Sequence, residues 1–130
     1  MNSPDRKSIL CVEDDETCEM FAALYPEYQF VFATTVAEAR QLAASRQFDL
    51  FMLDVRLPDG NGIELCREMK ALSPQTPVVL CSGYARDVDI RIGLMAGADA
   101  YQIKPLNFDL LREVLQSLTS SSGQQPVRNH

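Results

Sequence analysis

Four consecutive apolar residues, Leu50-Phe51-Met52-Leu53, run straight into a carboxylate, Asp54. A loop built from Pro58-Asp59-Gly60-Asn61-Gly62 follows. A short apolar run without alternation, closed by turn residues, reads as a strand buried on both faces, the signature of a central strand in a parallel sheet. Such a strand needs helices on both sides of it, and in open sheets of this kind ligands sit outside the carboxyl ends of the strands. Asp54 stands at that end.

The remainder of the chain supplies the partners. Ile9-Leu10-Cys11-Val12, Tyr28-Gln29-Phe30-Val31-Phe32, Val78-Val79-Leu80-Cys81 and Ala100-Tyr101-Gln102-Ile103 read as four further strands. Helical stretches alternate with them. The first runs from Asp15 to about Leu24, with Phe21 and Leu24 facing inward and acidic residues in its first turn, and Pro26 closes it. The second follows the capping box Thr35-x-x-Glu38 and carries Val36, Ala39, Leu42 and Ala43 as its apolar stripe. The third begins near Gly62 and uses Ile63, Leu65, Cys66 and Met69. The fourth spans 87–95, is weakened by Gly93 and is closed by Gly97. The fifth spans 108–118, with Leu110, Leu111, Val114, Leu115 and Leu118 set to cover the sheet. Five strands alternating with five helices predict an α/β domain. The expected form is doubly wound and flavodoxin-like: a five-stranded parallel sheet of order 2-1-3-4-5 with helices on both faces. Residues 1–6 are expected to form an N-terminal extension, 7–118 the single domain, and 119–130, rich in Ser, Gly and Gln, a disordered tail or the start of a linker.

Composition narrows the function classes. A net charge of −6 over 130 residues lacks the clustered lysine and arginine of a nucleic-acid surface. The only histidine is the last residue and the four cysteines form no C-x-x-C pair, which disfavours structural zinc. No apolar stretch spans a bilayer and no signal peptide is visible. The expectation is a soluble cytoplasmic domain with reduced thiols, and with neither nucleic acid nor membrane as a direct partner.

The residues just past each strand are the informative set: Glu13 and Asp14, Asp54, Ser82, and Lys104. In the order 2-1-3-4-5 they share one crevice. Two carboxylates ~4 Å apart repel by roughly 4 kcal/mol at an effective dielectric of ~20, so three of them call for a cation. All-oxygen donors with open positions suit Mg²⁺ or Mn²⁺. Asp54 would then be a carboxylate nucleophile toward phosphorus, with the cation, the Lys104 ammonium and the Ser82 hydroxyl neutralising the equatorial oxygens.

Taken together, Val12-Glu13-Asp14-Asp15, Leu53-Asp54-x-x-Leu57-Pro58-Asp59-Gly60-x-Gly62, Ser82-Gly83 and Gly97-Ala98-Asp99-Ala100-Tyr101-x-x-Lys104-Pro105 resemble the receiver domain of bacterial two-component response regulators. The resemblance implies that Asp54 is the phosphoacceptor, taking its phosphoryl group from a histidine kinase or a histidine phosphotransfer protein. It implies Glu13, Asp14, Asp54 and the backbone carbonyl of Arg56 as the metal set, with Asp14 direct and Glu13 through water. It implies Ser82 as the switch hydroxyl and Tyr101 as the switch aromatic that turns inward, and Lys104 as the phosphate-binding lysine before a cis proline, Pro105. The resulting regulator catalyses only its own phosphorylation and slow self-dephosphorylation. It would change its surface near Arg86, Arg91, Tyr101 and Gln102 toward a downstream effector or output domain, with a homodimer on phosphorylation as a possible form.

Other readings stay open on the residues alone. Asp15 competes with Glu13 as the second member of the acid pair. Glu13 to Glu16 also suits an acidic helix start, Ser82-Gly83 a turn, and Tyr101 edge packing. A magnesium-dependent phosphatase with an aspartate nucleophile would want a second aspartate where Arg56 stands. A phosphorylation-independent binding module would not need the full set of acids, hydroxyl and lysine.

Overall fold

A computed structural model describes residues 6–120. In chain order the elements are β1 (Ser8–Val12), α1 (Asp15–Leu24), β2 (Gln29–Ala33), α2 (Val36–Ser45), β3 (Leu50–Asp54), β4 (Arg56–Leu57), β5 (Gly60–Asn61), α3 (Gly62–Leu72), β6 (Val78–Ser82), α4 (Asp87–Met95), β7 (Ala100–Ile103) and α5 (Phe108–Leu118). The main sheet is parallel, in the order β2-β1-β3-β6-β7. Counted along the main sheet alone, this is the expected 2-1-3-4-5 order. Two-residue β4 and β5 form a small antiparallel hairpin in the loop after Asp54, pairing Arg56 with Asn61 and Leu57 with Gly60. The turn-forming composition of that segment predicts only a plain loop.

Alternation along each central strand divides the core in two. Leu10, Val12, Phe51, Leu53, Val78 and Leu80 face α2, α3 and α4. Ile9, Cys11, Leu50, Met52, Val79 and Cys81 face α1 and α5. Both faces being covered is why these runs carry no polar residue until they end. All four cysteines are buried free thiols within these layers.

Several inward assignments change. Leu24 is 36% exposed, and Cys18 joins Phe21 as the buried residue of α1. Leu110 is 39% exposed, while Leu111, Val114 and Leu115 carry the buried face of α5. Leu24 and Leu110 lie in the terminal turns of their helices, where the apolar stripe runs past the edge of the sheet. The second strand lies one residue later than expected. The α2 capping box is split: Thr35 accepts from the Glu38 amide at 3.1 Å, but the Glu38 carboxylate accepts from the Thr34 amide at 2.9 Å.

Both ends of the described chain are tied down. An Arg6 guanidinium nitrogen donates to the Tyr28 carbonyl at 2.5 Å. Thr119 caps α5 and its hydroxyl meets the Tyr28 hydroxyl at 3.2 Å. Thr119, expected to begin the tail, is thus the C-cap of α5, and residues 121–130, like most of the expected N-terminal extension, lie outside the described residues.

Candidate phosphoacceptor site

The sheet register brings the strand ends level. Val12 pairs with Leu53, Asp54 with Cys81, and Ser82 with Ile103. Glu13, Asp54, Ser82 and Lys104 therefore emerge along one edge. Beyond the strands the backbone stays bonded: the Lys104 amide donates to the Ser82 carbonyl at 2.8 Å, the Val55 amide to Cys81 at 3.3 Å, and the Gly62 amide back to Val55 at 2.7 Å.

Lys104 is the centre of the charge arrangement. Its Nζ lies 3.2 Å from Glu13 Oε1 and 3.4 Å from Asp54 Oδ1. Burial works against its charge, but the two carboxylates outweigh it and hold the ammonium above its ordinary range. Glu13 has no solvent exposure, and its second oxygen, Oε2, has no hydrogen-bond partner. Desolvation, reinforced by the charge on Asp54, lifts the Glu13 carboxyl to about 7 against the pull of Lys104.

Asp14 is oriented differently from its neighbour. It is the N-cap of α1 and accepts from the Thr17 amide at 2.8 Å, a bond that holds its carboxyl below the ordinary value. It remains exposed. A cleft of about 480 Å³ is lined by Asp14, Asp15, Thr34, Asp54, Arg56 and Pro58 among others. Asp14 and Asp54 thus share an open face, with Glu13 buried beneath it, and Asp15 is on the same rim.

The expectation of three apposed carboxylates is corrected to this layered arrangement. Among the described residues no three acidic, thiol or imidazole groups converge as a ready-made metal cluster. The reason is that Asp14 caps a helix and Glu13 is paired with Lys104. The donors still suit a hard divalent ion. Mg²⁺ needs only one or two carboxylates plus waters, Asp14 and Asp54 provide them, and the orphaned buried Glu13 Oε2 is the kind of acceptor a bound water satisfies.

Ser82 is buried, and its Oγ accepts from the Tyr84 amide at 2.9 Å. The Tyr101 ring is also buried, and its hydroxyl donates to the Tyr84 carbonyl at 2.7 Å. Tyr101 therefore occupies the inward position. Neither it nor Gln102, 5% exposed, belongs to the exposed surface expected around Arg86 and Arg91. Both lie on β7, which is covered on its two faces. The Lys104–Pro105 peptide is cis.

Asp59 was missed as a site-shaping residue. It accepts from the Val36 and Ala37 amides at 2.7 and 3.1 Å, so the loop beyond Asp54 caps the start of α2 and fixes one wall of the cleft. Its partners lie more than twenty positions away, and only the turn-forming composition around it gave any signal.

Comparison with known proteins agrees with this geometry. The response regulator receiver domain model matches residues 9–116, and the chain belongs to that family. It is 36% identical over 115 residues to the transcriptional regulatory protein ZraR of Escherichia coli O157:H7, covering 86% of this chain and 26% of that protein. It is 42% identical over 102 residues to the response regulator protein PilR of Pseudomonas aeruginosa, covering 75% of this chain and 23% of that protein. The chain thus spans about a quarter of the length of these relatives. Among solved structures, a two-component response regulator from Clostridium difficile superposes with a TM-score of 0.85 at 26% identity, covering 92% of this chain and all of that one. The receiver domain of a Pseudomonas aeruginosa sensor histidine kinase, with magnesium coordinated in its active-site cleft, gives 0.78 at 26% identity, covering 89% and 99%.

The chain is therefore a receiver domain, a phosphorylation-dependent switch of two-component signalling. No helix among the described residues is long and apolar enough to cross a membrane.

Proposed function

We propose that Asp54 is the phosphoacceptor of this switch and that its phosphoryl group comes from a histidine kinase or a histidine phosphotransfer protein. The observation that carries this reading is the placement of Lys104 between Glu13 and Asp54. An ammonium 3.4 Å from Asp54 Oδ1 is placed to neutralise oxygens on a phosphoryl group added there. In the transfer, an Asp54 oxygen forms a bond to phosphorus as the bond from phosphorus to the donor histidine nitrogen breaks, and the electron pair returns to the imidazole.

Mg²⁺, or Mn²⁺, held by Asp14, Asp54 and the Arg56 carbonyl, with Glu13 acting through water, would supply charge neutralisation to the transferring group. Within the chain, Lys104 binds the phosphoryl oxygens and Ser82 turns its hydroxyl toward them. The acquired charge of about −2 then competes for Ser82 against its present bond from the Tyr84 amide. Movement of that turn carries Tyr84, and with it the hydrogen bond from Tyr101, into a changed α4 surface. Val88, Ile92 and Met95 on α4 and Ile103 on β7 are exposed apolar side chains there, a face suited to a protein effector or output domain.

ZraR is a transcriptional regulatory protein by name, and we assign DNA contact in such a protein to an output domain rather than to this acidic chain. The proposed protein is a cytoplasmic regulator rather than a turnover enzyme. Incubation with acetyl phosphate and Mg²⁺, followed by intact mass, tests the assignment. One added phosphoryl group, absent in Asp54→Asn, is expected. Uptake that survives Asp54→Asn, or multiple turnover of a phosphate ester, would overturn it.

A further inference from the structure

Gly93 lies within the last turn of α4 and is buried. Glycine is among the poorest helix formers, so its presence there needs a reason. The reason is on the facing strand. A methyl group at position 93 would stand 2.8 Å from Tyr101 Cδ2 and 3.0 Å from both Tyr101 Cε2 and Leu80 Cδ1. The nearest contacts include the edge of a rigid ring, and Tyr101 and Leu80 both belong to the buried layer beneath α4, so a methyl at 93 would displace the ring. The bare backbone of α4 at Gly93 is the seat on which the Tyr101 ring rests.

That seat is linked to the site by two hydrogen bonds. The Tyr101 hydroxyl donates to the Tyr84 carbonyl at 2.7 Å, and the Tyr84 amide donates to Ser82 Oγ at 2.9 Å. Beside the ring lies a cavity of about 200 Å³ bordered by Val55, Asn61, Ile63, Tyr84, Asp89 and Ile92. A displaced ring thus has a place to go, and in going it would release Tyr84.

We propose that Gly93 is a positioning residue of the switch: its missing side chain seats Tyr101 beneath α4, and through Tyr84 that seat fixes where the Ser82 hydroxyl stands. The functional half of this inference rests on Ser82 belonging to the phosphoryl site. The seating itself does not.

The test uses the full chain labelled with fluorotyrosine, the Tyr101 fluorine resonance being assigned by its loss in Tyr101→Phe. In Gly93→Ala the resonance is expected to move toward the position of the free amino acid. The melting temperature should fall, although alanine is the better helix former. Made on a Tyr101→Ala background, the same substitution should leave the melting temperature unchanged or raise it. The rate of phosphoryl uptake from acetyl phosphate should change in Gly93→Ala but not when the substitution is added to Tyr101→Ala. An unmoved Tyr101 resonance, or an equal loss of stability on both backgrounds, would overturn the proposal. Should Gly93→Ala fail to fold, the double variant decides: a folded double variant supports the seat, and an unfolded one sinks it. Failure of the parent chain to take up a phosphoryl group would instead bring down the site assignment, leaving the resonance and melting data to judge the seat alone.

Discussion

Lys104 Nζ stands 3.2 Å from a carboxylate oxygen of Glu13, a side chain with no solvent exposure at all. The same ammonium reaches Asp54 at 3.4 Å. One cation thus holds a buried acid and the acid on the floor of the cleft, and the balance among the three groups has measurable consequences for stability.

The first concerns pH. The Glu13 carboxyl is lifted from 4.5 to about 7 in the folded chain, by burial first and by Asp54 second. A raised carboxyl pKa means that the folded state binds more protons than the unfolded one between those values. Its contribution is therefore complete below pH 4.5 and is lost as pH rises toward 7. At roughly 1.4 kcal/mol per unit, the upper limit of the loss is about 3 kcal/mol. Asp14, whose carboxyl is held low, acts only below its ordinary value of 3.8 and does not overlap this window. Urea unfolding in EDTA from pH 5 to 8 should show stability declining in the parent chain and a much flatter profile in Glu13→Gln. A flat parent profile would show that Glu13 ionises normally.

The second concerns the lysine. Lys104→Met removes the partner of a buried acid, and that matters only where the acid is charged. At pH 8, above the Glu13 midpoint, the expected loss is about 3 kcal/mol, the lower end of the range for a broken buried pair because Glu13 can take up a proton. At pH 6 Glu13 is already largely protonated, and the loss should be under about 1 kcal/mol. Chemical denaturation at the two pH values measures the difference. Equal losses would place the role of Lys104 in packing rather than charge.

The third concerns the turn behind Asp54. A methyl at Gly62 would lie 2.1 Å from the Asp54 carbonyl oxygen and 2.9 Å from its carbonyl carbon, both backbone atoms. No rotamer relieves such a clash, so either α3 withdraws or the Asp54 backbone shifts. Gly62→Ala should cost about 2–3 kcal/mol and slow phosphoryl uptake as Asp54 leaves its position near Lys104. Gly83 is the control. Nothing lies within 4 Å of a methyl there, and Gly83→Ala should fold with near-parent stability by thermal melting.

Much of this architecture can be read from residue order because the physics involved is local. Runs such as Leu50 to Leu53 are apolar throughout since both faces of the strand are covered. The acids, hydroxyl and lysine stand out because they terminate such runs. The features that residue order does not carry depend on distant partners. The cap that Asp59 makes on α2 joins positions 36 and 59. Nothing near Glu13 in the sequence says that its carboxylate pairs with the ammonium of Lys104. Leu24 and Leu110 satisfy the helical period yet face solvent, since the period gives a helix face but not where the neighbouring layer ends. Tyr101 and Gln102 look like surface residues at a strand edge until α4 is placed over β7, and Gly93 reads as a helix weakness until Tyr101 lies against it.

The last prediction concerns how long the phosphoryl group persists. Arg56 and Tyr84 each stand two positions past a site residue, Asp54 and Ser82 respectively. Arg56 lines the cleft, with its amide 3.4 Å from Asp54 Oδ1. The Tyr84 main chain is held by Ser82 and Tyr101, while the residue itself is 43% exposed. With Asp54 as the proposed acceptor, the Arg56 side chain on the cleft wall would restrict the approach of a water in line with the bond between phosphorus and the Asp54 oxygen. Tyr84 is proposed to act from the turn that follows Ser82. Self-dephosphorylation in Mg²⁺ should therefore be slow in the parent chain and faster in Arg56→Asn and Tyr84→Ala, with the double variant fastest. Loss of the phosphorylated species, followed by intact mass after removal of the phosphodonor, gives the lifetimes. A rapid parent decay that neither substitution alters would show that water reaches the acceptor by a path these residues do not guard.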